Sequence, residues 1–321
     1  MFKEYAEAWR KAQVHRASTT TSVEQQLRLH VYPTIGKRRL SSVRPSDIQA
    51  LVRGLGEVLA PGTVEAVYGR VAAVFNAAVR DRLIPSSPCV EVKRPRPAPS
   101  STLEVLTTDQ VLTLADAVPG RYHALIITAA GIGLRPGELF GLTLDRVDFL
   151  RRHVGVDRQL VRVRGTGVEL GPLKTSSSYR TVPLPRTVGD AIAAHLARWA
   201  AHDEVGLVFT NERDAPIQQY PFSAMWERAH ASAQVPQWAT PHDLRHYYAS
   251  PLIRSGASVK VVQTRLGHAS AKTTLDTYGQ LFPDEEDRTR DAIDAELVRA
   301  EDFLRTRDAS SPCRTLVAQG L

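Results

Sequence analysis

Residues 93–101 read KRPRPAPSS, a run that neither a helix nor a strand can cross. Closely spaced prolines fix φ, remove backbone donors and hold the chain extended. A chain of 321 residues is already long for one hydrophobic core, so this break predicts two compact units. We expect a helical unit over 1–92, a basic linker over 93–104, a larger unit over 105–283 and an acidic tail over 284–321. Hydrophobic residues make up 43% of the chain, which excludes a disordered protein.

Charge follows the same division. Residues 1–104 hold 16 Lys and Arg against 9 Asp and Glu, while residues 105–321 hold 25 of each. A basic excess in the first third suits a polyanion, most simply nucleic acid, although solubility alone would also account for it. The longest apolar-looking run, 124–134, contains glycines and is too short to span a bilayer. The N-terminus, MFKEYAEAWRKAQ, lacks the apolar stretch and cleavage site of a signal peptide. A cytosolic protein without membrane association is therefore expected. Cys89 and Cys313 offer no metal-ligand spacing and are expected as free thiols.

Helical periodicity dominates the first unit. Phe2, Tyr5, Ala6 and Trp9 recur at helical spacing, as do Val23, Leu27 and Val31. A turn at Pro33–Gly36 precedes the basic cluster Lys37, Arg38 and Arg39. Ser46 is expected to cap a helix whose stripe runs through Leu51, Leu55 and Val58. A further helix over 61–82 carries Val64, Val67, Val71, Val74 and Phe75 on one side, with Arg70 and Arg80 outward. Lys37, Arg38, Arg39 and Arg70, with Lys93, Arg94 and Arg96 of the linker, are the candidate DNA-backbone contacts. A helical bundle with solvated charges is the competing reading of this unit alone.

The second unit reads as mainly α with a small antiparallel β-sheet, an α+β arrangement. A helix starts near Thr108, and 122–133 reads as a buried helix. The valine-rich stretch 154–163 reads as one strand. With 168–170 and 180–184 it predicts a three-stranded sheet, turning at Gly165-Thr166-Gly167. Helices follow over 188–201, 221–234, 242–255, 259–266 and 270–281. From Asp284 to Asp302 the tail holds nine acidic and three basic residues, which predicts a helix with a solvated face. Beyond Ser310 the chain is expected to fray.

Four segments carry chemistry in fixed order: GIGLRPGELFGL (131–142), PLKTSSSYRTVPL (172–184), TPHDLRHYYAS (240–250) and TRLGHASAKTTLDTY (264–278). Arg135 precedes Pro136, a residue suited to a first helical position, so the arginine points off a helix start. Glu138, one turn later, can fix its guanidinium. Lys174 sits in a polar connection from which a flexible ammonium can approach and withdraw. His242 and Arg245 are three apart on an expected helix and share a face. Gly267 can end a helix directly before His268, and Ser270 can cap the helix carrying Tyr278. Each feature alone has an ordinary reading: a capped surface arginine, a solvated lysine, a packed tyrosine. His242 and His246 are four apart, as in zinc proteases. That motif requires Glu where this chain has Asp243, so no metal site is expected.

Two arginines, a lysine, two histidines and a tyrosine are what one reaction needs: transfer of a DNA phosphodiester to a phenol oxygen. The transition state gathers charge on the non-bridging oxygens, and forked, permanently charged guanidiniums suit it. A phenol with an ordinary pKa of about 10 needs proton removal, and the leaving 5′ oxygen needs an acid. The covalent link conserves bond energy, so neither ATP nor another cofactor is expected.

These motifs resemble those of the tyrosine recombinases, most closely the phage-type integrases, over roughly residues 1–290. The resemblance implies that Arg135 and Arg245 hold the scissile phosphate, that Lys174 protonates the leaving 5′ oxygen and that Tyr278 is the nucleophile. His242 and His268 would position the phosphate and assist proton transfer, with Glu138 and His246 supporting them. It implies a C-shaped clamp, an N-terminal helical core-binding domain plus a DNA breaking-rejoining catalytic domain. The implied partners are double-stranded DNA, three further copies forming a homotetramer on two DNA sites, and accessory DNA-bending or directionality proteins. The acidic tail would dock on a neighbouring subunit.

Two residues depart from the pattern. Tyr247 stands where many relatives have threonine, and Pro251 falls inside the helix expected after His246. A kink or an early end to that helix is expected. The chain begins inside what looks like core-binding sequence, so an N-terminal arm-binding domain is expected to be absent or truncated away. Two other functions share these features: a DNA-binding protein that no longer cleaves, and a topoisomerase that nicks and reseals.

Overall fold

The computed structural model describes residues 1–95, 103–163, 167–199, 205–282, 290, 291 and 293–301. Arg96, Cys313, the Gly165-Thr166 turn and most of the acidic tail lie outside the described residues. Among the described residues no helix is long and apolar enough to cross a membrane.

The first unit contains α1 (Phe2–Ala12), α2 (Ala17–Gln26), α3 (Tyr32–Ile35), α4 (Pro45–Gly56) and α5 (Pro61–Arg80). A π turn over Leu27–Val31 joins α2 to α3 just ahead of Pro33, which has no N–H to continue the ladder. The stripes read from the sequence form one core. Phe2, Val23, Leu27, Val31 and the five apolar positions of α5 are fully buried, and the Phe2 and Phe75 rings meet at 5.1 Å. Ser46 does not cap α4. Arg44 is the N-cap and Pro45 opens the helix, so Ser46 lies in the first turn, while the Asp47 carboxylate accepts the Arg44 N–H at 2.8 Å. Val58 falls beyond the end of α4 and is exposed.

A second core begins at Leu106. Helix α6 (Thr108–Ala117) starts where expected and is capped by Thr107: its hydroxyl accepts the Gln110 N–H, and the Gln110 side chain accepts the Thr107 N–H. The buried helix α7 (Gly120–Ile132) runs through this core and is followed by the short α8 (Pro136–Phe140). Strands β1 (Val147–Asp148), β2 (His153–Val156), β3 (Arg158–Val163), β4 (Gly167–Pro172) and β5 (Arg180–Pro183) come next. They correct the single sheet expected. The stretch 154–163 is two strands, because Asp157 breaks it: Arg146 and Arg158 hold its carboxylate at 2.7 and 2.9 Å. β2 joins an antiparallel sheet ordered β1-β2-β5, with Val154 opposite Val182. β3 pairs only with β4, as a hairpin with Leu160 opposite Leu170. Helices α9 (Arg186–Arg198), α10 (Gln219–Ser232), α11 (Asp243–Arg254), α12 (Val259–Leu266) and α13 (Ala271–Tyr278) follow, and the described residues of the acidic segment, 290, 291 and 293–301, are helical and exposed.

Pro251 does not end α11 early, because the helix continues through it to Arg254. The missing N–H removes one bond, toward the Tyr247 carbonyl, and packing of Ala249 and Ile253 into the core carries the helix past it. Pro251 itself is exposed, so a leucine there finds room. Pro251→Leu is expected to restore part of the ~3 kcal/mol that an interior proline costs and to raise the melting temperature by several degrees. Calorimetry checks this, and an unchanged or lower midpoint contradicts it.

Candidate active site

Two glycines and two arginines build the floor of the site. α7 ends at Gly133 (φ +62°) and α12 ends at Gly267 (φ +65°), both in the left-handed region that suits a residue without a Cβ. Each turn aims a carbonyl at a guanidinium. Gly133 O accepts Arg245 Nη1 at 2.6 Å, and Gly267 O accepts Arg135 Nη2 at 2.9 Å. Leu266 O takes the other Arg245 terminus. Arg245 is thus fully buried but anchored at both ends. Burial, helped by the charges of Arg135 and Arg180, pulls its pKa down to about 9, which still leaves it charged at neutral pH.

A Cβ on Gly133 would sit 2.3 Å from the Tyr248 ring. Gly133→Ala therefore combines a left-handed penalty of about 1–2 kcal/mol with a forced shift of the carbonyl that holds Arg245. We expect a lower melting temperature by calorimetry, and an unchanged midpoint would refute this role.

Glu138 and Arg180 tie the floor together. Glu138 accepts the Arg135 N–H at 3.0 Å and the Arg135 Nη1 at 2.9 Å. It is buried, and Arg180 pairs with it at 2.8 Å. Burial opposes ionisation of Glu138, but Arg180 and Arg135 outweigh it and hold the carboxyl below its usual range. Arg180 also donates to the carbonyls of Ser178 and Arg265, each at 2.8 Å. It thereby links β5, α8 and the end of α12. Sequence reasoning missed Arg180. No local pattern marks it, because its partners Glu138 and Arg265 lie far away along the chain.

Tyr278 ends α13, which Ser270 caps through the Thr273 N–H. Its hydroxyl lies 2.9 Å from His246 Nδ1, and its ring stacks on His268 at 6.1 Å with a 9° tilt. Thr274 holds His268 Nδ1 at 3.0 Å. Burial pushes the Tyr278 hydroxyl up to about 12, against the opposing pull of Arg245. Burial, then the neighbouring arginine charges, brings His268 down to about 4. His242 precedes α11 and meets His246 edge-on at 5.1 Å. Burial lowers the pKa of both. His246, read from the sequence as a supporting residue, is the histidine that contacts the phenol oxygen.

Lys174 lies in the β4–β5 connection, exposed, with no partner for Nζ among the described residues. Its loop is linked to the floor: Thr175 Oγ1 and Ser178 Oγ are 2.9 Å apart, and Arg135 Nη1 reaches Ser178 Oγ at 3.5 Å. Thus Arg135, Glu138, His242, Arg245, His246, His268 and Tyr278 converge, with Lys174 at the rim. The basic residues of the first unit differ among themselves. Lys37 and Arg39 are exposed. Arg38 pairs with Asp47 at 2.6 Å, and Arg94 pairs with Glu65 at 2.6 Å while lying over the Tyr68 ring. Lys93 is exposed, with its backbone held by Gln49. Arg70 is half-buried, its Nε without a partner among the described residues.

Comparison with known proteins adds an independent line. The model of the phage integrase family matches residues 104–285, and that of the phage integrase central domain matches residues 2–94. A putative prophage phiRv2 integrase of Mycobacterium tuberculosis is 29% identical over 290 residues, covering 85% of this chain and 73% of that protein. The solved structure of the Tn1549 transposon integrase with circular intermediate DNA matches with a TM-score of 0.78 at 22% identity, covering 92% of this chain and 98% of that one. A lambda integrase tetramer bound to a Holliday junction matches at 0.62 and 16% identity, covering 88% and 76%. At those identities the two structures speak to the fold.

Proposed function

The chain belongs to the phage integrase family and is a tyrosine site-specific recombinase, and from that premise we propose that Tyr278 cleaves DNA through a 3′-phosphotyrosyl intermediate. One observation carries the assignment. The Tyr278 hydroxyl meets His246 on the helix that also bears Arg245, and Arg135 is held by the turn that leads to His268.

In this reading Arg135 and Arg245 receive the two non-bridging oxygens of the scissile phosphate. Carbonyl anchors occupy only some of their N–H groups, so the remaining donors are fixed in direction before substrate arrives. Tyr278 Oη attacks phosphorus as its proton passes to His246, which burial keeps neutral. The bond to the 5′ oxygen breaks, and that oxygen takes a proton from Lys174. His242 and His268 flank the phosphate. Attack by a 5′-hydroxyl on the phosphotyrosine reverses the sequence and rejoins DNA without ATP.

Double-stranded DNA is the proposed substrate. The basic excess of residues 1–104 supports it, as do the DNA-bound integrases of the same fold. Lys37, Arg39 and Lys93 are the backbone contacts best supported by exposure. Assembly as a homotetramer on two DNA sites is part of the proposal, in keeping with the lambda integrase tetramer bound to a Holliday junction. Accessory DNA-bending or directionality proteins, and a division into functional domains at residues 93–104, complete the proposal.

The test is a nicked suicide duplex spanning the crossover sequence, which direct repeats bracketing the mobile element would reveal. We expect an SDS-stable protein–DNA adduct, with the DNA-bearing peptide mapping to Tyr278. An adduct at another residue, or DNA binding without any adduct, rejects the assignment. Relaxation of supercoiled DNA without strand exchange would identify a topoisomerase instead.

A further inference from the structure

Three consecutive carbonyls, those of Pro172, Leu173 and Lys174, are each held by a side chain. Gln159 of β3 donates to Pro172 O at 2.9 Å. The other two are held from the first unit: Arg16 Nη2 reaches Lys174 O at 2.8 Å and Leu173 O at 3.3 Å, across more than 150 residues of sequence. Arg16 is the N-cap of α2, and its own carbonyl is fixed by the Thr20 N–H at 3.0 Å and the Thr20 hydroxyl at 3.2 Å. α2 packs on β3, so the guanidinium projects from a supported backbone.

We propose that Arg16 is a positioning residue for Lys174, acting from the DNA-clamping unit on the backbone that carries the proposed acid. This rests on the reading of Lys174 as the group that protonates the leaving 5′ oxygen. The lysine side chain has several rotatable bonds and no partner for Nζ among the described residues. Its reach is therefore set by where its backbone is held. Leu173 is buried and anchors one side of that point; Arg16 grips the other. A guanidinium can bridge two adjacent carbonyls because its N–H groups are rigidly forked and permanently charged. Docking of the first unit and placement of the acid thus become one event. A chain in which the first unit is displaced from the β4–β5 connection would hold its general acid loosely.

The leaving group separates this role from a DNA contact or a purely structural one. In an ordinary duplex the Tyr278 Oη–P bond forms, the P–O5′ bond breaks, and the 5′ oxygen must gain a proton. With sulfur at the bridging 5′ position, the P–S bond breaks and the electron pair stays on sulfur. A thiol has a pKa of about 8.5, so the thiolate leaves without an acid. A defect confined to acid placement therefore vanishes on the sulfur duplex, while a defect in binding or phosphate gripping persists.

The full-length chain is assayed on matched oxygen and sulfur suicide duplexes, as wild type, Arg16→Ala and Lys174→Ala. Arg16→Ala is expected to slow cleavage of the oxygen duplex roughly ten- to hundred-fold, with the loss removed on the sulfur duplex and DNA affinity kept within about two-fold. Equal losses on both duplexes, or no loss on either, overturn the role of Arg16. Lys174→Ala checks the premise separately. If its defect survives on the sulfur duplex, Lys174 is not the acid, and the proposal falls with that reading rather than with Arg16.

Discussion

Tyr278→Phe is expected to abolish the covalent adduct while leaving DNA affinity close to wild type. The change removes one oxygen and keeps the ring that stacks on His268. Its cost to stability is limited to the hydrogen bond with His246, about 1 kcal/mol. Its cost to cleavage is total, since no other hydroxyl touches His246 among the described residues. Mixing adds a sharper expectation. Tyr278 and Arg245 of the same chain share one site, held together by α11, α12 and α13. A mixture of Tyr278→Phe and Arg245→Ala chains is therefore expected to remain inert, because neither supplies a complete centre. Recovery of adduct on mixing would show that the nucleophile is donated to a neighbour's arginines.

Glu138→Ala is expected to produce the largest loss of stability in the site, about 3–5 kcal/mol. Removing the carboxylate strands Arg180, whose side chain is almost fully buried and whose only carboxylate partner among the described residues is Glu138. It also releases Arg135, so cleavage and melting temperature should fall together. The acid limb of stability carries the same signature. The Glu138 pKa is depressed in the folded chain, so its contribution is complete above the ordinary carboxyl value of about 4.3 and is lost as pH falls through the folded value. Chemical denaturation of Glu138→Gln as a function of pH should show a shallower acid limb than wild type. Equal slopes would mean that the carboxylate is not the group being titrated.

The sequence pointed to the side chains that converge more readily than to the strand arrangement around them. Arg135, Arg245, His268 and Tyr278 were readable because helix starts and stops flank them: Pro136, Gly267 and Ser270 have strong local preferences that tertiary packing did not override. The core stripes of α1 and α5 were readable because helical periodicity persists over several turns. What escaped depended on long-range partners. The break at Asp157 is made by two arginines, one of them eleven residues upstream, and no local pattern announces it. The cap of α4 was misplaced because Ser46 has the higher capping propensity, yet Pro45 already fixes the helical φ one residue earlier. Pro251 suggested a kink or an early end to α11, and packing of its neighbours carries the helix on to Arg254. Arg16 and Arg180 gave no signal, since each matters through atoms far away along the chain.

Tyr278 and Arg245 have almost no contact with solvent in the free chain. A phosphate cannot reach an oxygen or a guanidinium that presents no surface. Arg135, by contrast, keeps 33% of its side chain exposed, so on the proposed reading a phosphate meets that guanidinium first, and Arg245 and Tyr278 become reachable only once the surrounding side chains shift.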